Sequence, residues 1–446
     1  MRIVLIKPSM FGGAESGHVS GDTFEPLAPA VLAGLTPPGH EVVFYDDRIE
    51  RIPYCEPAEL VGITVETHTA KRAYEIAFQY RRRGVKVVLG GFHPTLVPEE
   101  AIEYADSVAI GEAEELWPKI IEDTEKGRLH RFYKSEKTPS LSGLKPRKDI
   151  FMGKKYLPVS MVEFGRGCRN SCEFCAVAAF YRRDYRHRPV GEVIDELKIS
   201  GKKTVFFTDD NIISDIEAAK ELFRKLMPLK IRWIGQASIN LTEDRELLEL
   251  MKKSGCYCLV IGFESLNREN LAQMNKLNNI GAGDYNRIVN KIHGRGIKIY
   301  AAFILGYDHD DKDSFGKVLD FSLRSKFFIS NFNHLMVYPS TPLYERLSRE
   351  GRLLYRNWWL SSEYRYGKIA FKPKLMTAEE LSENCMDMRA RFSSLKSIVM
   401  RGTALKTNCG GFRDVIEYLV YNILSLKEVV RKDNMPLGAA PRSIKN

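Results

Sequence analysis

The sequence predicts an α/β protein with two β/α regions and a helical C-terminal region. Two series of short apolar runs alternate with amphipathic stretches of helical length, in residues 1–135 and 156–345. Strands that alternate with helices form parallel sheets, because each helix carries the chain back to the start of the next strand. Residues 136–155 are rich in Lys, Ser and Pro and predict a linker. Residues 346–446 have mainly helical periodicity.

The first series predicts a doubly wound, Rossmann-like parallel sheet. Its five predicted strands are residues 3–6, 42–45, 60–65, 85–89 and 107–110. Ligands of such sheets bind at the carboxyl ends of the strands, where the strand order reverses. Small and hydroxyl residues at those ends would let a large flat ligand approach the backbone. The candidate binding residues there are Thr64, Glu66, Thr67, Gly90, Gly91, His93, Gly111 and Glu112.

The second series predicts an open, partial (β/α)6 barrel. Six strands are expected, at residues 159–164, 204–208, 231–238, 258–263, 297–305 and 331–337. Chemistry in β/α barrels lies at the carboxyl ends of the strands. The polar residues at those ends are Asp209, Asp210, Asn211, Gln236, Ser238 and Glu264. The alternative is that they cap helices and form turns, as Ser214 and Asp215 could at the start of the helix that follows.

Three cysteines predict a metal centre with an open position. Cys168, Cys172 and Cys175 have the spacing C-x3-C-x2-C. A structural zinc usually takes four protein ligands, whereas a four-iron cluster held by three thiolates leaves one iron free. The alternatives are a zinc knuckle with a distant fourth ligand, or three unrelated thiols. A knuckle would need a second C-x2-C or H-x3-H nearby, and none follows in the sequence.

These motifs carry a resemblance to a known family. The cysteine spacing, with Phe174 before the last cysteine and Gly165 and Gly167 before the first, resembles the cluster motif of the radical S-adenosylmethionine (SAM) enzymes. The upstream run GGFHPTLVPEEAIEYADSVAIGEAEELW resembles the cobalamin-binding domain of class B members of that family, and VYPSTPLYERL at residues 337–347 resembles the end of their barrel. The resemblance covers about residues 1–355.

The resemblance implies three cofactors and their sites. Cys168, Cys172 and Cys175 would hold a 4Fe-4S cluster, and the N-terminal strand ends named above would hold cobalamin. The residues implied to contact SAM are Phe174, Asp209, Asp210, Asn211, Gln236, Ser238 and Glu264. Among these, the 209–211 group matches the motif for the amino group of SAM, and Glu264 suits its ribose.

The segment after the first strand differs from the corresponding segment of the soluble cobalamin enzymes. Residues 7–18 read KPSMFGGAESGH and lack the D-x-H-x-x-G segment that provides a histidine ligand to cobalt. The nearby imidazoles are His18 and His93, for which a solvated or hydrogen-bonding role is the commoner one. Cobalamin would therefore be bound without that histidine. The competing interpretation is that the domain is a remnant without a cofactor.

Composition favours a cytoplasmic, oxygen-sensitive enzyme. Eight cysteines in 446 residues form no disulfide framework, and neither a signal peptide nor a long apolar span is visible. The net charge of +10 comes from basic residues interleaved with acidic ones, apart from short clusters at residues 81–83 and 181–188. No nucleic-acid partner is therefore expected.

The function implied is cobalamin-dependent C-methylation of an unactivated carbon. The deoxyadenosyl radical made from SAM would remove a hydrogen atom, and methylcobalamin would deliver the methyl group. A small-molecule, lipid or tetrapyrrole-like substrate and an electron donor such as flavodoxin or ferredoxin are the expected partners. The alternatives are a radical cyclase or oxidase with the same layout and a non-catalytic metal-binding module.

Two features of the C-terminal region lead to separate expectations. Residues 346–446, with Trp358, Trp359, Tyr364 and Tyr366 near their start, are expected to cap the mouth of the barrel. Residues 412–430 read as an amphipathic helix, with Ile416, Leu419 and Ile423 among its apolar positions. The helix could simply pack against the protein, or it could contact a lipid, a tetrapyrrole substrate or the surface of a membrane.

Overall fold

The computed structural model describes residues 1–13, 23–135 and 137–438, with only the backbone for 426–432. Tertiary contacts divide the chain into two compact units. The N-terminal unit comprises Met1–Met161, Asn357–Tyr366 and Met435–Asn446, and the barrel unit comprises Val162–Arg356 and Gly367–Asn434. Within the described residues, no helix is both long and apolar enough to cross a membrane.

The N-terminal unit is built on a parallel sheet of six strands in the order β2-β1-β3-β4-β5-β6. The strands are β1 (Arg2–Lys7), β2 (Glu41–Asp46), β3 (Leu60–Thr64), β4 (Lys86–Gly90), β5 (Ser107–Ile110) and β6 (Phe132–Lys134). The helices are α1 (Leu27–Leu35), α2 (Ala70–Arg81), α3 (Phe92–Leu96), α4 (Pro98–Tyr104) and α5 (Leu116–Glu125). The order reverses between β1 and β3, which is where doubly wound sheets bind their ligands.

The doubly wound fold and its five strands are confirmed, and β6 is an addition. Three residues at a sheet edge are too few to show a period in sequence. Apolar strand positions such as Ile3, Leu5 and Phe44 pack against Trp117 and Ile120 of α5. The alternation of strand and helix therefore builds one core in this unit.

The segment expected to be a linker packs against the N-terminal unit. Leu141, Leu144 and Phe151 are buried, and the Phe151 ring meets the ring of Phe44 edge to face at 5.5 Å. The Tyr156 hydroxyl donates to Asp46 at 2.8 Å. These few anchors are separated by polar residues, and for that reason they show no periodicity in the sequence.

The barrel sheet has six strands in sequential order, β14-β13-β12-β11-β10-β7, and is open between β14 and β7. Its strands are β7 (Ser160–Val162), β10 (Thr204–Phe207), β11 (Arg232–Gln236), β12 (Cys256–Glu264), β13 (Lys298–Leu305) and β14 (Ile329–His334), with a small antiparallel pair, β8 (Gly165–Gly167) and β9 (Tyr185–His187), after the first. All six expected strands and the open partial barrel are confirmed.

Helices separate the strands of the barrel and follow its last strand. They are α6 (Ala176–Tyr181), α7 (Val190–Ser200), α8 (Ile216–Leu226), α9 (Arg245–Lys253), α10 (Arg268–Gln273), α11 (Leu277–Gly281), α12 (Tyr285–His293), α13 (Lys312–Arg324), α14 (Pro342–Arg349), α15 (Ala378–Phe392), α16 (Leu395–Gly402) and α17 (Phe412–Lys432). Asp215 caps α8 by accepting from the Ala218 N–H at 3.1 Å, as the sequence suggested.

Candidate active site

The loop from Cys168 to Cys175 connects β8 to α6, and Gly165 and Gly167 lie directly before it. Gly167 has φ of 85°, and a Cβ there would lie 2.1 Å from the Asp184 carbonyl oxygen. A Cβ on Gly165 would lie 2.3 Å from the Tyr185 hydroxyl oxygen. Only glycine lets the two short strands approach so closely just before the first cysteine.

All three cysteines line one cavity, which lies at the carboxyl ends of β10, β11 and β12. Its volume is about 300 Å³. The residues that line it include Cys168, Cys172, Cys175, Phe174, Asp210, Asn211, Gln236, Ser238, Glu264 and Lys276. Residues as far apart in sequence as Cys168 and Lys276 thus converge. Asp209 is the single residue of the predicted set in this unit that does not line the cavity.

Asp209 does not line the cavity but bonds to the backbone that precedes the cysteine loop. Its carboxylate is buried and accepts from the backbone N–H groups of Phe164 and Gly165, at 3.0 and 2.6 Å. Burial raises its pKa well above the usual range, although these two hydrogen bonds oppose the rise. The geometry does not support the expected contact between Asp209 and SAM, because both carboxylate oxygens face the backbone of the β7–β8 segment.

Asp210 and Asn211 do reach the cavity. One oxygen of Asp210 accepts from the Gly167 N–H at 2.9 Å, which ties the end of β10 to the start of the cysteine loop. Burial raises the pKa of Asp210 to about 6. The Asn211 side-chain oxygen accepts from the Ser238 N–H at 3.1 Å. Both residues therefore join neighbouring segments and also present polar atoms to the cavity.

Gln236 and Ser238 follow β11 and complete this polar wall. Gln236 donates to the Asp209 carbonyl at 3.4 Å, and Ser238 accepts from the side chain of Asn170 at 3.3 Å. Asn170 belongs to the cysteine loop and in turn accepts from Asn278 at 3.1 Å. Amide and hydroxyl groups from three loops therefore face one side of the cavity.

Glu264 ends β12 and forms a buried ion pair with Lys276, whose Nζ lies 2.8 Å from Oε1. Glu264 has φ of 63° at a register shift of the sheet, and a Cβ on Gly262 would lie 2.1 Å from the same Oε1. Burial lowers the pKa of Lys276, but the negative charges of Glu264 and of Cys172 outweigh it and raise that pKa. The positive φ of Glu264 at the register shift, and the absence of a side chain at Gly262, thus allow the Glu264 carboxylate to face the cavity.

In the N-terminal unit, backbone hydrogen bonds join the segments that follow β3 and β4. The Val65 N–H donates to the Gly90 carbonyl at 2.8 Å, and the His93 N–H donates to the Val65 carbonyl at 3.1 Å. Gly91 has φ of 104°, and a Cβ there would lie 2.9 Å from the Val65 oxygen. Gly91 is required for this close approach of two loops.

The other predicted cobalamin residues surround this edge. Thr64 ends β3, where its hydroxyl donates to the Ile6 carbonyl at 3.5 Å. Thr67 is buried in the short turn that follows, and the largely exposed Glu66 side chain pairs with Lys7. Gly111 has φ of 97°, and among the described residues no atom beyond its two chain neighbours lies within 4 Å of the position of a Cβ. Its neighbour Glu112 is half-buried. The open space beside Gly111 leaves room for a ligand against the backbone.

His93 belongs to the interior of the N-terminal unit. Its ring is fully buried, and Nε2 lies 3.1 Å from both the Tyr74 hydroxyl and Glu100 Oε1. Trp359 packs edge to face on the ring at 5.3 Å and donates its indole N–H to Glu100 at 2.9 Å. The geometry therefore favours a structural role for His93 over a cobalamin contact. His18 lies outside the described residues.

Comparisons with known proteins agree with this two-part arrangement. A model of the radical SAM superfamily matches residues 162–322, and a model of the B12 binding domain matches residues 17–121. The bacteriochlorophyllide d C-12(1)-methyltransferase of Chlorobaculum tepidum is 31% identical over 405 residues, which is 88% of this chain and 86% of that protein. This chain belongs to the class B radical SAM family. It is therefore a cobalamin-dependent radical SAM enzyme.

Other relatives of this class B enzyme extend the comparison. The bacteriochlorophyllide d C-8(2)-methyltransferase of the same organism is 29% identical and covers 74% of this chain and 78% of its own. The anaerobic magnesium-protoporphyrin IX monomethyl ester cyclase of Cereibacter sphaeroides is 24% identical and covers 91% and 73%. The solved structure of the cobalamin-dependent radical enzyme OxsB aligns with a TM-score of 0.69 at 14% identity, over 96% of this chain and 72% of that one, and so shares its fold.

The cysteine loop of this radical SAM enzyme suits a 4Fe-4S cluster. All three thiols are free, and all three line the cavity. Burial raises the pKa of Cys175 to about 11, while the N–H groups of Ala178 and Val177 at the start of α6 lower it. Such N–H groups also stabilise cluster-bound thiolates. Within the described residues, no group of three His, Cys, Asp or Glu side chains is arranged around a single ion.

Sequence reasoning missed three kinds of residue in this radical SAM enzyme. Lys276 belongs to no motif, and Asn170 lies inside the cysteine motif at a position that is not a candidate ligand; both line the cavity. The aromatic residues near the start of the C-terminal region belong to the N-terminal unit, where the ring centroid of Trp358 lies 4.8 Å from that of His68. His68 follows β3 at the ligand-binding edge, and burial lowers its pKa to about 4, so the ring is neutral at ordinary pH. The signal for His68 in the sequence was its position directly after the candidate residues Thr64, Glu66 and Thr67.

Proposed function

We propose that this enzyme methylates a carbon of a tetrapyrrole macrocycle or of one of its substituents. The proposal rests on the similarity to the bacteriochlorophyllide d C-12(1)-methyltransferase, which extends over most of both chains. The second methyltransferase and the cyclase, whose names also denote tetrapyrrole substrates, add support.

The two units divide the cofactors between them in this proposal. The thiols of Cys168, Cys172 and Cys175 hold the cluster in the barrel unit, and the carboxyl edge of the N-terminal sheet, with Gly91 and Gly111, holds cobalamin. When bound, the cluster and SAM supply a carbon-centred radical and cobalamin supplies the methyl group. The protein's contribution is to position the reactants and to exclude water.

Around SAM, the cavity residues have separate tasks. The carboxylate of Asp210 attracts the ammonium group, because opposite charges at hydrogen-bond distance form the stronger class of hydrogen bond. Glu264, held by Lys276, accepts from the ribose hydroxyls. Val260, Ala237 and Ala302 provide the apolar part of the lining, which displaces water from the reacting groups.

Two partners are also proposed. A one-electron protein donor such as a flavodoxin or a ferredoxin would reduce the cluster. The other partner would be a membrane surface, which the exposed apolar side chains of α17 support. Both expectations are independent of which macrocycle is the substrate.

A cyclase or oxidase reaction is the second candidate. The cyclase of Cereibacter sphaeroides covers 91% of this chain, so the same two-unit layout accompanies a different outcome in a relative. The two reactions differ in their products. Methylation consumes SAM both as a radical source and as a methyl source, whereas cyclisation needs only the radical.

The test is a product assay under anaerobic conditions. The enzyme is purified with iron and corrinoid supplied, its bound iron and cobalamin are measured, and it is then incubated with SAM, a reductant and bacteriochlorophyllide d precursors. The proposal expects S-adenosylhomocysteine, 5'-deoxyadenosine and a macrocycle heavier by one methylene unit. Formation of 5'-deoxyadenosine and an altered macrocycle without S-adenosylhomocysteine would instead establish the cyclase or oxidase.

A further inference from the structure

The last described helix, α17, exposes its apolar face. Phe412, Ile416, Leu419, Val420 and Ile423 are 85%, 46%, 43%, 45% and 45% exposed. Their spacing of i, i+4, i+7, i+8 and i+11 places them on one side of an α-helix. We call these five residues the α17 stripe. A continuous apolar stripe normally faces a core, so an exposed one indicates an interaction surface.

The opposite face of α17 is held to the barrel unit by polar contacts. The Tyr418 hydroxyl donates to the Ile398 carbonyl at 2.7 Å. Asn422 donates to the Phe328 carbonyl at 3.3 Å and accepts from the buried Arg401 at 2.8 Å. Since these bonds fix the rotation of the helix, the α17 stripe cannot turn inward without breaking them.

A basic cavity of about 500 Å³ adjoins the start of α17. It lies at the amino ends of β11, β12 and β13, at the end of the sheet opposite to the cysteines. Five cations line it, which are Arg232, Lys252, Lys298, Lys406 and Arg413. The cavity is therefore distinct from the active-site cavity of the same unit.

Carboxylates neutralise this cavity only in part. Glu417 pairs with Arg232 at 2.8 Å and with Arg413 at 2.7 Å, and Asp414 pairs with Lys298 at 2.6 Å. Lys252 and Lys406 instead donate to the backbone carbonyls of Gly296 and Gly294. Among the described residues, no carboxylate lies within ion-pair distance of either lysine. The cavity thus keeps a positive charge that suits an anion.

The apolar and basic features adjoin each other along the chain. Phe412 of the α17 stripe precedes Arg413, and Leu405, which is 66% exposed, precedes Lys406. On the neighbouring helix α16, Leu395 and Val399 are 80% and 72% exposed. Apolar side chains beside cations are the combination with which interfacial helices bind anionic bilayers, because the chains enter the acyl region while the cations meet the headgroups.

We propose that the α17 stripe and the basic cavity form a docking site for the surface of an anionic phospholipid bilayer. The stripe inserts at the boundary between headgroups and acyl chains, and the cavity receives a lipid phosphate between Lys252 and Lys406. The inference rests on this surface alone and does not depend on the reaction that the enzyme catalyses.

The test is vesicle co-sedimentation with the reconstituted full-length enzyme. We expect binding to phosphatidylcholine vesicles that contain about 30% phosphatidylglycerol, and binding weaker by about tenfold or more to phosphatidylcholine alone. Replacing Phe412, Ile416 and Val420 by Ser together should abolish binding. The matched control is Ile199→Ser, which changes a residue 88% exposed on α7 of the same unit and should bind as the unmodified enzyme does.

A second pair of variants examines the cavity. Lys252→Glu with Lys406→Glu should weaken binding to anionic vesicles and leave the residual binding to neutral ones unchanged, whereas Lys225→Glu on the exposed face of α8 should have little effect. Cleavage of SAM with a chemical reductant verifies that every variant is folded. Equal binding to both vesicle types, or full binding by the stripe variant, would overturn the proposal. So would a dimer in sedimentation velocity that the stripe variant converts to monomer, because a second copy would then cover the stripe.

Discussion

Arg346 of α14 holds Glu173, which lies inside the cysteine loop, with Nη2 2.8 Å from Oε1. The same guanidinium reaches Asp308 at 2.9 Å, and Arg352 and Lys374 contact Asp308 at 2.8 and 2.9 Å. The Leu343 N–H also donates to the Glu173 carbonyl at 3.0 Å. The barrel-end motif at residues 337–347 therefore fixes the loop that carries Cys172 and Cys175.

Arg346→Met should loosen the cysteine loop. It leaves Glu173 half-buried without its cation, and removing one partner of such a pair costs on the order of 3 kcal/mol. We expect less iron per chain after reconstitution and a broadened electron paramagnetic resonance signal of the reduced cluster. Arg349→Met, at an exposed site on the same helix, is the control. Unchanged iron content and an unchanged signal in the Arg346 variant would show that the loop holds its shape without this contact.

Cys172→Ala should abolish reductive cleavage of SAM. Two thiolates cannot hold the cluster in the arrangement that leaves one iron open. The measurement is 5'-deoxyadenosine formed with a chemical reductant, and Cys55→Ala, at an exposed site in the N-terminal unit, serves as the control. Cleavage retained in the Cys172 variant would refute the assignment of the cluster ligands.

Glu264→Gln should weaken SAM binding by about tenfold or more, because a charged hydrogen bond contributes roughly 1.5 to 3 kcal/mol. Lys276→Met should have a similar effect through the loss of the buried partner of Glu264. Isothermal titration of the reconstituted enzyme with SAM measures both. If the Glu264 variant bound SAM as the unmodified enzyme does, the carboxylate would have no part in the site.

SAM binding should strengthen as pH rises through about 6. Burial raises the pKa of Asp210 to about 6, so its carboxyl group is mostly neutral at about pH 5 and mostly ionised at about pH 7.5. Only the ionised form attracts the ammonium group of SAM. The dissociation constant should fall across this interval, and Asp210→Asn should flatten the profile. The same slope in both proteins would assign the dependence to another group.

Gly111→Leu should reduce the cobalamin bound per chain. The side chain would enter the open space beside the strand end, where φ is 97°. Gly127→Leu is a matched control, because Gly127 also has positive φ, 66°, and open space around its Cβ position, but follows α5 at a turn. Absorbance of the cyanide-treated cofactor gives the amount. Equal losses in the two variants would point to backbone strain and not to a filled binding site.

Local patterns in the sequence determined the kinds of element and most of the residues that line the candidate active-site cavity. Strand and helix periods are properties of neighbouring residues, so all eleven expected strands appear. Polar residues at strand ends could also be identified from the sequence as candidate site residues, because the carboxyl ends of parallel strands meet at one edge. The cysteine spacing, a purely local feature, located the cluster loop and through it the family.

The tertiary structure alone decided which side chains face a cavity and which face the backbone. Asp209 and Asp210 are neighbours in sequence, yet the first bonds the β7–β8 backbone and the second lines the cavity. His93 is buried against Trp359, 266 positions away in the sequence, and Lys276, which lies between α10 and α11, pairs with Glu264 at 2.8 Å. The exposed α17 stripe likewise depends on the polar bonds of Tyr418 and Asn422. Contacts between residues of different elements determine which of these side chains are buried, exposed or face a cavity, so local periodicity does not predict their positions.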